Sequence, residues 1–264
     1  MTQLRYVITG IASGIGAATA AELRAQGHWI IGLDIQSPAS PADEFIQLDL
    51  ADQISIDRAV SQIEGPLHGL CNIAGLPPRP GLETKILQVN YIGLRRLTLG
   101  LLDLLNSGSS IVNLASRAGH NWANNVDQVK KLDTATSTTD LAVFLSAEQI
   151  DATRAYNLSK EAVILWTKAI TEALIQRGIR INSVSPGAID TPILDDFAQA
   201  FGTKMQQNVD RAGRPGQAQE VAPLIAFLLS KESSWINGAD ITIDGGMSAF
   251  AVSDQWELSS LGLK

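Results

Sequence analysis

The chain has 264 residues, 45% hydrophobic and 18% charged, enough for one large domain with a sizeable core. A net charge of −7 without any basic run argues against nucleic acid as a partner, and no apolar run approaches the ~18 residues that cross a bilayer. One cysteine, Cys71, rules out an intrachain disulfide framework and fits a reducing cytoplasm, the expected compartment; it reads as a small core residue.

Apolar bursts alternate with helix-period segments along the chain. "RYVITG" (5–10) reads as a strand that begins almost at once, so no signal peptide is expected. "GIGAATAAELRAQG" (14–27) reads as a helix stopped by Gly27, and "WIIGLD" (29–34) and "EFIQLDL" (44–50) as the next strands. A helix over "SIDRAVSQI" (55–63) leads to a fourth strand, "GLCNIAG" (69–75). The Pro-rich loop "GLPPRPGLE" precedes one long helix over 84–105. "SSIVNLAS" (109–116) is a fifth strand, followed by a polar, sparsely patterned stretch over 117–154. The helix "AYNLSKEAVILWTKAITEAL" (155–174), the strand "IRINSVSPG" (179–187), the helix "AQEVAPLIAFLLS" (218–230) and the strand "ADITIDGG" (239–246) complete the series.

Strand and helix in alternation predict an α/β single-domain Rossmann fold, a doubly wound parallel sheet of about seven strands with helices on both faces. The whole chain, 1–264, reads as one domain. It carries an insert over 117–154, a segment over 188–215 and a tail over 247–264.

Gly10, Gly14 and Gly16 fall where the first strand turns into the first helix. A glycine turn there lets backbone approach a ligand, and the helix N-terminus beyond it suits a pyrophosphate. Ser13 adds a hydroxyl donor. Asp34 ends the second strand 18 positions beyond Gly16, where a carboxylate would accept from both ribose hydroxyls and repel a 2′-phosphate. No basic residue follows it, which favours NAD over NADP. Asp49 and Leu50 end the third strand, in reach of an adenine amino group.

"TGIASGIG", "NIAG", "VNYIG", the serine of "NLAS", "YNLSK", "SPGAIDTP" and "IDGG" occur in the order seen in short-chain dehydrogenases/reductases, and the chain resembles that family from Tyr6 to Gly246. Longer stretches such as "GLCNIAGLPP" and "WINGADITIDGG" look most like bacterial coniferyl-alcohol dehydrogenases, with the 3α-hydroxysteroid dehydrogenase/carbonyl reductases as neighbours. Ile73 stands where the family motif has Asn, while Asn72, Ala74 and Gly75 remain.

Tyr156 and Lys160, at i and i+4 of one helix, present a phenol and an ammonium side by side. A phenol titrates near pH ~10; a neighbouring ammonium favours the phenolate, which can take a proton from an alcohol or return one to a carbonyl. The resemblance implies Tyr156 as acid/base and Lys160 as its tuner and a ribose ligand. It implies Ser116 as the residue that holds the substrate oxygen, and Asn90 as a helix kink with a held water leading from Lys160. It also implies cofactor contacts from Ile15, from the backbone of Pro186, Gly187 and Ile189, and from the Thr191 hydroxyl.

The implied function is NAD-dependent interconversion of an apolar, aromatic alcohol and its carbonyl, both small molecules. Two alternatives are a 3α-hydroxysteroid dehydrogenase/carbonyl reductase and a catalytically silent NAD-binding scaffold. No metal site is implied, since His28, His68 and His120 are isolated; His120 follows Ser116 closely enough to line a pocket. Leu194, Phe197, Phe201 and Met205 at helical spacing read as a short amphipathic helix packed on the body, or, as the resemblance implies for the 188–215 segment, as a lid over an apolar substrate. The 40 positions between Ser116 and Tyr156 exceed the usual family separation. By resemblance, this insert blocks the four-helix contact used by tetrameric members and implies a homodimer through the last helix and strand, with a tetramer as the alternative. Trp122 is a candidate pocket wall, and Phe250, Trp256 and Leu261 of the tail are candidates for a cap or an interface.

Overall fold

The computed structural model describes residues 3–38, 42–135 and 137–262. Strand β1 (Arg5–Thr9) passes through the glycine turn into α1 (Gly14–Ala25), followed by β2 (Trp29–Asp34), β3 (Glu44–Gln47) and α2 (Gln53–Gln62). The third strand is shorter than expected: Asp49 turns back to accept from Ala51 N at 2.8 Å, which ends the ladder. Strand β4 (Leu67–Asn72) leads to α3 (Glu83–Leu87) and α4 (Leu94–Leu101), joined by a π-helical segment over Gln88–Gly93. The expected single long helix is thus interrupted at Asn90. It also ends sooner, because Leu105 already pairs with Leu67 and opens β5 (Leu105–Leu114).

The insert contains a 3₁₀ turn, Arg117–Asn124, then α5 (Val126–Thr134) and α6 (Thr138–Ala147). Helix α7 (Ala152–Ile175) starts on Asp151, whose carboxylate accepts from Arg154 N at 2.7 Å. Next come β6 (Arg180–Pro186), the short β7 (Ile189–Asp190), α8 (Leu194–Ala212), β8 (Gly216–Gln217), α9 (Ala218–Leu229), β9 (Asp240–Ile243) and α10 (Met247–Gln255).

Seven parallel strands form one sheet in the order β3-β2-β1-β4-β5-β6-β9. The order reverses between β1 and β4, which opens a crevice at their carboxyl ends, the usual ligand position in such sheets. Neighbouring strand residues go to opposite faces: Val7, Leu70 and Ile111 pack under α2, α4 and α7, whereas Ile8, Cys71 and Val112 pack under α1 and α9. Each fully buried Ile or Leu contributes ~1.5–3 kcal/mol, so a sheet covered on both sides needs these near-continuous apolar strands. Cys71 is a free, fully buried thiol pushed up by burial, consistent with the core role read from sequence.

Helices α5 and α6 lie against α7 and α3. Their Leu132, Leu141 and Phe144 enter the same core as Leu158 and Ile164 of α7. Glu161 of α7, with its side chain 1% exposed, accepts from Arg154 at 2.7 and 2.9 Å and from Asn125 Nδ2 at 2.9 Å. Arg154 also donates to Gln128 of α5, and Tyr91 donates to Asp133 at 2.6 Å. The insert is therefore a packed part of the domain. Between β7 and β8, which pair in parallel, α8 makes a closed excursion with a non-helical kink at Gly202.

Candidate active site

Thr9, at the end of β1, positions the crevice. Its hydroxyl oxygen accepts from Ile73 N at 2.9 Å and from Ala74 N at 3.0 Å, clamping the "NIAG" turn to the first strand. Gly10 has φ +74°, and a Cβ there would meet the Ala74 backbone at 2.9 Å, so the two turns abut only because Gly10 has no side chain. The chain then enters α1, whose Ser13 N-cap makes no side-chain capping bond, leaving the first-turn N–H groups facing the crevice. A Cβ on Gly14 would reach Thr191 Cγ2 at 3.2 Å, so this glycine keeps open the slot between the turn and Thr191. Asp34 accepts from Ala12 N at 2.9 Å through one oxygen and from Gln36 N at 3.0 Å through the other, which fixes its carboxylate beside the glycine turn. These features fit a pyrophosphate-linked dinucleotide: free N–H donors, a slot without side chains and an oriented acid.

Tyr156 and Lys160 lie one helical turn apart on α7, both buried. Lys160 Nζ donates to Leu114 O at 2.8 Å and lies 5.8 Å from the Tyr156 ring centroid. Burial pushes the phenol of Tyr156 up to about 12, and a hydrogen bond with the Ser116 side chain opposes that shift. Burial also draws Lys160 down to about 8. Ser116 follows β5 and caps the 3₁₀ turn, its Oγ accepting from Ala118 N at 3.1 Å.

Asn90 occupies the π-helical segment with a fully buried side chain. Its Oδ1 accepts from Leu76 N at 2.7 Å, and its Nδ2 donates to Leu76 O at 3.0 Å and Ser159 Oγ at 3.1 Å. Such a bulge turns an amide out of the helix ladder toward the crevice. A Cβ on Gly75 would meet both Asn90 Oδ1, at 3.3 Å, and Lys160 Nζ, at 3.5 Å, so these two polar ends share one corner of the crevice.

One cavity of about 410 Å³ is lined by Ile15, Gly75, Ser116, Tyr156, Lys160, Pro186, Gly187, Ile189 and Thr191 among the residues read from sequence. Leu76, Phe197, Phe201, Met205 and Met247 close its apolar side. Phe197 and Phe201 meet the Tyr156 ring edge-on, with centroids 5.1 and 6.4 Å away.

Gly10, Ser13, Asp34, Asp49, Leu50 and Ala74 lie outside this lining along the strand ends and turns, as do Gly14 and Gly16 in the first turn of α1. Asn72 differs from its expected part: its side chain is buried, with Nδ2 donating to Thr98 Oγ1 at 2.9 Å and Asn113 Oδ1 at 2.8 Å. The amide braces β4 against α4 and β5. His120 also stays out of the lining and bridges Thr242 Oγ1 and Ser248 Oγ at 3.1 and 3.4 Å. Trp122 packs on the core under Lys168, 5.6 Å from its ring. Phe250 lies under Arg211, and Trp256 and Leu261 are exposed. Sequence reading missed Thr9, the Leu114 carbonyl and Ser159; only Thr9, a hydroxyl at a strand end before a glycine turn, carried a local signal.

The fold and crevice define a dinucleotide-dependent oxidoreductase built on a Rossmann-type sheet. The family profile described as enoyl-(acyl carrier protein) reductase matches residues 10–152 and 128–248. The chain is 37% identical over 251 residues to the coniferyl-alcohol dehydrogenase of Pseudomonas sp. (strain HR199 / DSM 7063), covering 94% of this chain and 98% of that protein. It is 31% identical to the 3-alpha-hydroxysteroid dehydrogenase/carbonyl reductase of Comamonas testosteroni, covering 92% and 96%. The crystal structure of the 3-alpha-hydroxysteroid dehydrogenase from Pseudomonas sp. B-0831 complexed with NADH superposes with a TM-score of 0.79 at 30% identity, covering 94% of this chain and 98% of that one. The chain belongs to the short-chain dehydrogenase/reductase family.

Proposed function

We propose that the protein is an NAD-dependent alcohol dehydrogenase interconverting an apolar, aromatic alcohol of the coniferyl or cinnamyl type and its carbonyl. One observation carries the reading: Ser116 and Tyr156 line one cavity together with an apolar wall of Leu76, Phe197, Phe201, Met205 and Met247. Such a wall accepts a flat ring and excludes water around the reacting oxygen. The similarity to a coniferyl-alcohol dehydrogenase supports the same substrate class.

When bound, the nicotinamide dinucleotide supplies or accepts hydride at the carbinol carbon. Ser116 holds the substrate oxygen, and Tyr156 moves a proton between its phenol and that oxygen. With its phenol pushed up to about 12, Tyr156 stands ready as the acid; for alcohol oxidation the positive charge of Lys160 favours the phenolate. Asn90 fixes the Leu76 backbone beside this pair, and the family's water relay from Lys160 would pass this corner. Ser13, Ile15 and the turn of Gly10, Gly14 and Gly16 hold the pyrophosphate. Asp34 takes the ribose hydroxyls and selects NAD over NADP, while Asp49 and Leu50 meet the adenine. Ala74 and Gly75 leave room beside the ribose, and Pro186, Gly187, Ile189 and Thr191 orient the carboxamide. Helix α8 acts as the lid.

The packing of α5 and α6 on α7 and α3 covers the helical face that tetrameric relatives would use, which supports a homodimer through α9 and β9. A 3α-hydroxysteroid dehydrogenase/carbonyl reductase is the second reading, favoured by the superposition on the NADH complex of such an enzyme.

A panel of aryl alcohols, 3α-hydroxysteroids and their carbonyl counterparts, followed at the NADH absorbance band, tests the proposal. The highest kcat/KM is expected with a cinnamyl-type pair. Preference for a steroid would establish the second reading. NADH binding without any turnover would leave only a silent scaffold.

A further inference from the structure

Two unpartnered cations face the same cavity. Arg117, directly after Ser116, and Lys204, on α8, both line it. Among the described residues, neither makes an ion pair or donates a side-chain hydrogen bond. The surroundings make this unusual. Arg79, Arg211 and Arg214, which lie around the lid, are each paired with a carboxylate, at 2.7, 2.6 and 2.7 Å. Lys204 lies beyond the Gly202 kink of α8, solvent-exposed at the rim of the cavity that Phe197 and Phe201 line, where its ammonium can reach a ligand's outer end. On a chain of net charge −7, two free cations at one cavity make a local positive field.

We infer that the substrate bears a carboxylate at the end remote from its carbinol or carbonyl carbon, and that Arg117 and Lys204 bind it as the specificity-determining residues of the pocket. This rests on the oxidoreductase reading above and, within aromatic alcohols and aldehydes of the cinnamyl type, selects those that carry a carboxylate at the far end over their neutral counterparts. The guanidinium offers a two-pronged donor set and the ammonium a point charge, and a carboxylate satisfies both. A neutral ring occupying the cavity would leave both cations hydrated at its mouth.

The test compares NADH-dependent reduction of 4-formylbenzoate and 4-formylcinnamate with that of their methyl esters, in which the same aldehyde gains a hydride and a proton. The acid should exceed its ester in kcat/KM by about tenfold or more in at least one pair, and raised salt should narrow the gap. Arg117→Gln and Lys204→Gln should each shrink the acid-to-ester ratio, and the double variant should bring it near one, while NADH affinity measured by fluorescence is retained. Equal or better use of the esters by the unaltered protein would overturn the inference and leave the dehydrogenase reading standing. A loss of NADH affinity matching the loss of turnover would assign the two cations to the cofactor instead, and also overturn it. No reduction of any aldehyde by a protein that binds NADH would overturn the dehydrogenase reading and the inference together.

Discussion

Lys160 Nζ donates to the carbonyl oxygen of Leu114 at 2.8 Å, which ties helix α7 to the last residue of β5 two positions before Ser116. That bond spans 46 residues of sequence and sets the ammonium below the ring of Tyr156. It also buries a cation whose ordinary value of 10.5 falls to about 8.

The burial of Lys160 predicts a pH-dependent stability. Between about 8 and 10.5 the unfolded chain binds the proton that the folded protein has lost, so this group makes stability rise with pH across that window. Below it, the charged ammonium is carried at full desolvation cost. Lys160→Met should therefore raise the stability of the cofactor-free protein at pH 7 by about 1–2 kcal/mol, and the gain should shrink toward pH 10. Thermal melts of both proteins from pH 7 to pH 10 check this; a gain independent of pH would show that the lysine is not the costly group.

Tyr156→Phe keeps the ring that meets Phe197 and Phe201 and removes only the hydroxyl. NADH binding should persist while kcat falls by about 10²–10⁴. Stopped-flow turnover beside a fluorescence titration separates the two effects, and near-normal kcat would remove Tyr156 from the acid/base role.

Asp34 has two duties in the structure, fixing the glycine turn through Ala12 N and presenting charge at the end of β2. Asp34→Asn keeps an acceptor for the turn and loses the charge. The NAD to NADP preference in kcat/KM should drop by about tenfold or more. Asp34→Ala should weaken both cofactors as well, since the turn loses its anchor. Unchanged selectivity in the Asn variant would refute the ribose assignment.

Arg154 neutralises Glu161, whose side chain is nearly inaccessible, and reaches Gln128 of the insert. Arg154→Met strands a buried carboxylate and should cost about 3 kcal/mol, or roughly 6–12 °C in Tm. Adding Glu161→Gln should recover part of the loss, because the uncompensated charge goes with it. Calorimetry of the single and double variants measures the coupling; additive losses would mean the pair is not the link between α7 and the insert.

The parts legible in the sequence are those set by neighbours along the chain. The glycine turn after β1, the i,i+4 placement of Tyr156 and Lys160, and Asp34 at a strand end all follow from spacing alone. The kink at Asn90 was legible too, although its form was not: the π-helical segment brings the amide onto both backbone groups of Leu76, a residue 14 positions earlier. Asn72 shows the converse. Its motif position suggested the crevice, yet the alternation of strand residues turned its side chain inward, where its Nδ2 donates to Thr98 and Asn113. His120 and Trp122 lay close to Ser116 in sequence, but the 3₁₀ turn carries them to β9 and to the core.

By itself, the sequence determined the strand and helix order, the family and the chemical character of the crevice, because hydrophobic period, glycine conformation and helical spacing act over a few residues. The tertiary structure decided which of those residues share a cavity and what surrounds them. Leu114, Lys160, Phe197 and Lys204 come to one cavity only when seven strands align and α8 folds back over the crevice. Long-range packing, which no local pattern encodes, sets the burial that shifts the phenol and the ammonium and brings Arg117 and Lys204 to the same cavity, with no ion pair among the described residues.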